Sequence, residues 1–205
     1  MSHLIIGEVS EFLRKTLWLG IKEDPVTSQL VASEDEISLT NPGSAVQGVR
    51  KLSLWLYQVL PNEHLRNPSY VRRKNPKDAN DDDAPFYPPL YLNLLYLLTP
   101  SIRIDDDAKT AIADQSLLGR AMQIFYDQSI LRMDSKQAAG EADELHLSLA
   151  PRTIEELAEV WEAMQQPYRL SVCYEVRAIK IDSARRVQAG RLSERQSEFG
   201  PLVTA

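Results

Sequence analysis

Acidic, histidine and cysteine side chains are the residues that could carry chemistry in this sequence, and their spacing argues against a reactive site. Asp81–Asp83 and Asp105–Asp107 are carboxylate runs that could hold a hard cation. Neither run has the alternating ligands and final glutamate of a calcium-binding loop. The three histidines have no cysteine or histidine at zinc-ligand spacing. We therefore interpret both acidic runs as solvated loops and predict neither a metal nor a cofactor.

The sequence also lacks the pattern of an activated nucleophile. Cys173, the single cysteine, lies among apolar neighbours in a predicted strand, which is typical of a small core residue. Gly119 falls in a helical pattern, and no glycine-rich phosphate loop is found. His146 alternates with leucines and is expected at a surface or an interface. The prediction is a protein that is not an enzyme; a small cytoplasmic enzyme that uses the acidic loops is the alternative from another functional class.

Composition limits the compartment and the partners. The 205-residue chain has a net charge of -6 and 43% apolar residues, enough for a core but without a basic surface for nucleic acid. A single cysteine fits a reducing cytoplasm. The N-terminus lacks a signal-peptide pattern, and the most apolar run, Leu90–Leu98, is too short for a membrane helix. We expect a soluble protein made in the cytoplasm, without nucleic acid as a partner and without direct membrane insertion.

Three helices are predicted from apolar residues at helical spacing. They cover about residues 2–20, 115–131 and 153–166. Ser2, Asp114 and Thr153 are the expected caps, and Thr153 begins a capping box with Glu156. Gly20 is the expected end of the first helix.

Strands occupy most of the remaining sequence. Alternation predicts them at about residues 37–40, 51–60, 90–98, 145–149 and 168–181. Most follow one another without a crossover helix, so the predicted fold is α+β, with a mixed or antiparallel sheet and about three helices. Residues 61–89 form a long proline-rich loop that carries the basic cluster Arg72, Arg73 and Lys74. We predict one domain over residues 1–182 and an extended C-terminal arm over residues 183–205.

Two of the predicted strands are apolar on both faces. Trp55 and Tyr57 in one, and Tyr91 in the other, lie opposite the leucines expected in the core. Exposing them all would create an apolar patch larger than is usual for a monomer, and three helices do not comfortably cover two faces. These residues, with Trp18 outside the stripe of the first helix, are therefore candidates for contact with another subunit. A helix that wraps the second face is the alternative.

Four segments together resemble a known family. They are LSLWLYQVLPNEHLRNP at 52–68, PPLYLNLLYLLTP at 88–100, LLGRAMQIFYDQSIL at 117–131, and LHLSLAPRTIEELAEVWEAM with PYRLSVCYEV at 145–176. The combination is similar to the cap proteins of extracellular contractile injection systems of the antifeeding-prophage and virulence-cassette type. Ser129 stands where the family more often has a proline, a departure that concerns a helix end.

This resemblance implies a subunit like the tail terminators of long-tailed phages. It implies a hexameric ring that closes the inner tube at the end away from the target and holds the last ring of sheath. The partners would be other copies of the chain, the inner tube protein and the sheath protein. Assembly would take place in the cytoplasm, into a particle that is released or anchored to a membrane. A transient tube-to-sheath chaperone or adaptor is the alternative among assembly proteins.

The C-terminal arm is a further candidate for partner contact. It has no period of two or 3.6 and too little apolar surface to fold on a core of its own, so its ordering requires a partner. Arg185 and Arg186 at its start, and Phe199 and Leu202 near its end, are the residues expected to make that contact. A frayed tail without a role is the alternative. Arg72, Arg73 and Lys74 of the loop are candidates for attraction to an acidic partner surface, and a solvated loop is the alternative.

Overall fold

The protein, as a computed structural model, is described for residues 2–43, 50–65, 69, 86–133 and 143–185. Within them, the helices are α1 (Ile5–Glu23), α2 (Asp107–Asp127) and α3 (Ile154–Ala163). The strands are β1 (Ile37–Ser38), β2 (Leu52–Pro61), β3 (Leu90–Pro100), β4 (Ile130–Met133), β5 (Asp143–Ala150) and β6 (Val172–Ile181). The predicted α+β class is confirmed.

The six strands form one mixed sheet in the order β1-β2-β3-β6-β5-β4. β1 pairs with β2 in parallel, and the other neighbouring strands pair antiparallel. The register between β2 and β3 shifts at Tyr57, which lies between Leu56 opposite Tyr96 and Gln58 opposite Leu95. Such a bulge bends a strand and increases its twist. The sheet is therefore not flat. In the described part of the chain, its two edges are β1 and β4.

One face of the sheet packs against α1 and α2 and forms the main core. The predicted stripe of α1 points into this core, because Val9, Leu13 and Leu17 recur at helical spacing and are fully buried. The partners from the sheet and from α2 include Leu54, Leu94, Tyr96, Leu98, Phe125 and Val176. Burying each large apolar side chain contributes about 1.5–3 kcal/mol, so this stripe determines how α1 docks.

The boundaries of α1 differ from the prediction at both ends. The helix continues through Gly20 to Glu23, and a 3-10 turn over Ser2–Leu4 precedes it, so Ser2 is not at the N-cap position. Gly20 is instead a packing position, since a Cβ there would lie 2.6 Å from Cγ1 of Ile124 in α2. Arg120 of α2 donates from Nη2 to the Gly20 carbonyl oxygen at 2.7 Å. Close contact between two helices, not a helix end, accounts for this glycine.

The start of α2 was also predicted wrongly. The helix begins at Asp107, and the N-cap is Asp106, whose carboxylate accepts hydrogen bonds from two following backbone N–H groups at 3.0 and 3.1 Å. Asp114 lies inside the helix, where its carboxylate accepts a hydrogen bond from the Ile102 N–H at 2.8 Å. The acidic run Asp105–Asp107 is thus more than a solvated loop, because it supplies a cap whose charge suits a helix N-terminus.

The end of α2 differs as well. The helix stops at Asp127, and Leu131, which was predicted to be helical, lies in β4 with its side chain buried in the main core. Tyr126, one residue before the helix ends, has the spacing of the buried Phe125 and Leu118, yet its side chain is 83% exposed.

The second face of the sheet is covered in part by α3. Leu97 and Cys173 from the sheet form a smaller core with Leu157 and Trp161 from this helix. Trp55 and Tyr57 pack against that core and are half-buried. The alternative, a helix of the same chain on the second face, is therefore part of the arrangement observed, and it leaves both side chains partly accessible. Contact of these two residues with a partner protein stays a prediction.

Candidate assembly surfaces

The start of α3 is fixed by the capping box that the sequence predicted. Thr153 Oγ1 accepts a hydrogen bond from the Glu156 N–H at 3.3 Å, and the Glu156 carboxylate accepts one from the Thr153 N–H at 2.9 Å. Farther along the helix, Trp161 Nε1 donates to Ser171 Oγ at 3.2 Å, just before β6. These contacts hold α3 against the second face of the sheet. They thereby determine which residues of that face remain accessible to solvent.

A polar pocket of about 160 Å³ lies where α3 meets β2 and β6. Its lining includes Tyr57, Arg152, Glu156 and Cys173, and Arg152 donates from Nη1 to the Glu156 carboxylate at 3.0 Å. Burial, reinforced by a hydrogen bond with Cys173, raises the pKa of Tyr57 to about 12. Burial also raises the pKa of the Cys173 thiol. A reactive cysteine needs the opposite shift, so this geometry does not prepare a nucleophile.

A chain of hydrogen bonds crosses the same face of the sheet. Asn62 Nδ2 donates to Asn93 Oδ1 at 2.9 Å, and Asn93 Nδ2 donates to Glu175 Oε1 at 2.9 Å. Glu175 Oε2 then accepts from Arg177 Nε at 2.7 Å. Asn62 Oδ1 also accepts from the backbone N–H groups of the next turn, at 3.0 and 3.2 Å. The network therefore ties the first residues of the long loop to β3 and β6.

The other end of the long loop meets the start of the C-terminal arm. The Tyr87 N–H donates to the Arg185 carbonyl oxygen at 2.9 Å. The Arg185 guanidinium lies over the Tyr87 ring, with its Cζ 4.4 Å from the ring centroid. Such a cation–π contact is worth about 0.5–1 kcal/mol at an exposed site. Arg185, predicted to bind a partner, thus contacts its own chain and fixes where the arm leaves the fold.

The remaining predicted contact residues fall into two groups. Trp18 is half-buried and packs against the main core, and Tyr91 is half-buried on β3. The others, together with Asp81–Asp83, lie outside the described residues: Arg72, Arg73, Lys74, Arg186, Phe199 and Leu202. Among the described residues, Trp18 thus packs on the main core, whereas Trp55 and Tyr57 lie on the second face of the sheet.

The sequence analysis missed an open groove of about 560 Å³ on the outer side of α1. Leu4, Gly7 and Phe12 give it apolar surface, and its polar lining is Glu8, Glu11, Lys15 and Glu34. Arg14 bridges two of these carboxylates, at 2.7 Å from Glu11 and 3.3 Å from Glu34. A glycine near the start of a helix, where alanine would be favoured, is the sequence feature that could have drawn attention to it.

Metal sites and membrane spans were sought in the same described ranges. Nowhere in them do three or more histidine, cysteine, aspartate or glutamate side chains group so as to hold a metal ion. Among the helices described, none has the length and apolar character needed to cross a membrane.

Comparison with known proteins identifies the family. Residues 8–195 match the family described as the Pvc16 N-terminal domain. The chain belongs to this family. The match extends over nearly the whole described fold and includes all four segments on which the predicted resemblance rested, and it confirms that resemblance. No curated protein matches the chain.

Two solved structures match this chain over part of their length. One is the sheath/tube terminator, in the extended state, of the PVC extracellular contractile injection system, with 13% identity and a TM-score of 0.49 over 82% of this chain and 57% of that one. The other is the tube-terminating cap of the anti-feeding prophage, with 15% identity and a TM-score of 0.42 over 75% of this chain and 47% of that one. The chain thus spans about half the length of the solved chains that it matches.

Proposed function

We propose that this protein is the structural cap of a contractile injection system. Six copies form a ring that covers the last ring of the inner tube, stops tube growth and anchors the last ring of sheath. The observation that carries the proposal is the family match over residues 8–195. In this role the protein has no substrate and acts by occupying a polymer end, in a particle assembled in the cytoplasm.

Features of the described surface support contacts between subunits. In a closed ring, each copy offers two different surfaces to its two neighbours. Edge strand β4 pairs with β5 on one side, and the described residues place no strand on its other side. Ile130 at its start is 55% exposed, and Tyr126 at the end of α2 is 83% exposed. An unpaired edge beside exposed apolar side chains suits strand addition by a neighbouring protein.

Particles from a strain that lacks this chain test the proposal. If the ring covers the growing end, tubes made without it should have heterogeneous lengths and sheaths should detach or contract early. Electron microscopy should also show density for this chain at one end of the complete particle. Native mass spectrometry of isolated caps should give six copies. Particles of normal length and contraction in the deletion strain, or a chain absent from the finished particle as a chaperone would be, contradict the cap role.

A further inference from the structure

The groove on the outer side of α1 has the features of a binding site for an extended peptide. It is open to solvent, and its apolar part is bordered by carboxylates. Leu4 in its lining is 51% exposed and adds to this apolar surface. The three carboxylates, Glu8, Glu11 and Glu34, outnumber the two cations nearby, Lys15 and Arg14.

Gly7 indicates that something approaches this helix closely. Glycine weakens a helix relative to alanine, and it is typical of positions where another backbone comes near. Within the described residues nothing requires it, because a Cβ at Gly7 would meet none of their atoms within 4 Å. Gly20 in the same helix contrasts with it, since its missing Cβ makes room for Ile124. The space above Gly7 is part of the groove.

We infer that this groove binds the C-terminal arm of a neighbouring copy of the chain. The arm combines the two properties that the groove requires. Its arginines, Arg186, Arg191 and Arg195, outnumber its two glutamates and complement the carboxylates of the groove. Its last residues include Phe199 and Leu202, which suit the apolar surface around Gly7. Exposed ion pairs contribute little affinity, so the charges orient the arm and the apolar residues hold it.

The length of the arm allows it to reach a neighbour. From Arg185, which Tyr87 fixes at the surface, an extended chain reaches Phe199 over about 50 Å at ~3.5 Å per residue. A domain of this size is roughly 40 Å across. The arm therefore spans one subunit width, which is the distance to an adjacent copy in a ring. This inference rests on the proposed function, because it requires copies of the chain to lie side by side in a ring.

A photo-cross-link in purified particles tests the inference. Benzoylphenylalanine replaces Phe199 in the full chain, and irradiated particles are analysed on denaturing gels and by mass spectrometry. We expect a ladder of covalently joined copies, with the label attached to the peptide that contains Leu4–Lys15. Cross-links confined to single copies would show that the arm occupies its own groove, and cross-links to tube, to sheath or to other surfaces would show a different receptor. Each of these results, and the absence of any cross-link, overturns the inference.

A groove-filling variant provides the second measurement. Gly7→Leu adds a side chain whose Cβ meets no described atom within 4 Å and which extends into the groove. It should lower the cross-link yield at least about tenfold, a loss of affinity that one large side chain can produce. Gly119→Leu is the matched control, because Gly119 is an exposed helical glycine whose Cβ would also meet no atom within 4 Å. Equal yields in the two variants overturn the inference. Cap density at the particle end without the cross-link refutes only the arm contact, whereas no cap density in the wild type refutes the cap itself.

Discussion

At the residue scale, Gly20 provides a direct test of how α1 and α2 pack. In Gly20→Ala the new Cβ would lie 2.6 Å from Cγ1 of Ile124, a buried and branched side chain with little freedom to move. The helices must separate, which also lengthens the hydrogen bonds from Arg120 to the Gly20 carbonyl oxygen. Overpacking of this kind should lower the free energy of unfolding by about 1–3 kcal/mol. Urea denaturation of the variant and the wild type measures the difference.

The control for that variant is Gly7→Ala, in which the new Cβ meets no atom within 4 Å. Because alanine favours a helix over glycine by up to ~1 kcal/mol, this variant should be unchanged or slightly more stable. A Gly20→Ala protein as stable as the wild type would show that α1 and α2 are not in close contact at this point.

Three tyrosines predict how stability depends on alkaline pH. Burial raises the pKa of Tyr57, Tyr96 and Tyr174 from 10.0 to about 12, and at Tyr57 a hydrogen bond with Cys173 adds to this. The folded state therefore holds these protons more tightly than the unfolded state does. Their contribution to stability is complete below pH 10 and is lost as the pH rises from 10 through about 12.

Tyr96→Phe isolates one of these groups. The free energy of unfolding of the wild type should fall steeply above pH 10, and the variant should show a shallower fall because it has one buried phenol fewer to ionise. The variant also loses the 2.8 Å hydrogen bond between Tyr96 Oη and Ser10 Oγ, so its stability at neutral pH should be lower by about 0.5–1.5 kcal/mol. Identical alkaline slopes for the two proteins would contradict the burial of this hydroxyl.

Single residues also show where sequence patterns stop being informative. Cys173 was interpreted correctly as a core residue, because its strand neighbours alternate and the thiol is small. The cap of α2 was missed, since three consecutive aspartates stand around the start of the helix and only the packing of its first turns decides that Asp106 is the cap. Tyr126 fits the helical period as well as Phe125 does, but it lies at the end of the helix, where its side chain is exposed.

At the element scale, α3 depends on its capping box. Thr153→Ala removes the acceptor for the Glu156 N–H and should cost about 1 kcal/mol in the free energy of unfolding. Thr153→Ser keeps the hydroxyl and is the matched control. Tryptophan fluorescence should report the same loss, because Trp161 is buried between α3 and the sheet and Trp55 packs beside it. Thr153→Ser removes only the methyl group of the side chain. A similar loss of stability in both variants would therefore show that this methyl group, and not the hydroxyl cap, stabilises the helix.

Helix α3 also shows why the sequence predicts a helix but not the surface against which that helix packs. Local residues specify the helix, since a capping box and apolar residues at helical spacing are close together in the sequence. The face that it covers depends on contacts between residues far apart, such as Trp161 with Leu97. Alternation along β2 and β3 shows that both faces are apolar but carries no information on what covers them. A helix of the same chain and a second subunit were therefore both compatible with the pattern.

At the scale of the whole molecule, the long loop and the C-terminal arm are anchored at the same place. Tyr87 ends the loop and holds Arg185, and Asn62 at the beginning of the loop donates its backbone N–H to the Tyr91 carbonyl oxygen at 2.9 Å. Both segments thus leave the fold near the start of β3 and the end of β6. The described ends of the two segments therefore lie close together, which no local pattern reveals because these residues are far apart in sequence.

The arm gives the last prediction, and the Arg185 contact decides where to cut it. Deletion of residues 186–205 keeps Arg185 on Tyr87, so the thermal midpoint of the truncated protein should stay within about 1–2 °C of the wild type. Deletion from residue 183 removes that contact as well. The truncated protein then loses the ~0.5–1 kcal/mol of stability expected for an exposed cation–π pair, so its midpoint should fall measurably.

The same deletion separates folding from assembly. If the arm holds neighbouring copies together, particles carrying the chain without residues 186–205 should lose the cap and its sheath attachment, because contraction pulls on the sheath where it is fixed to the tube. Phe199→Ala combined with Leu202→Ala should show a weaker form of this defect, whereas Glu194→Gln, at an arm position without an apolar side chain, should assemble normally. Truncated protein that caps and contracts like the wild type would show that the arm has no part in assembly, and truncated protein that unfolds would show that the arm belongs to the core.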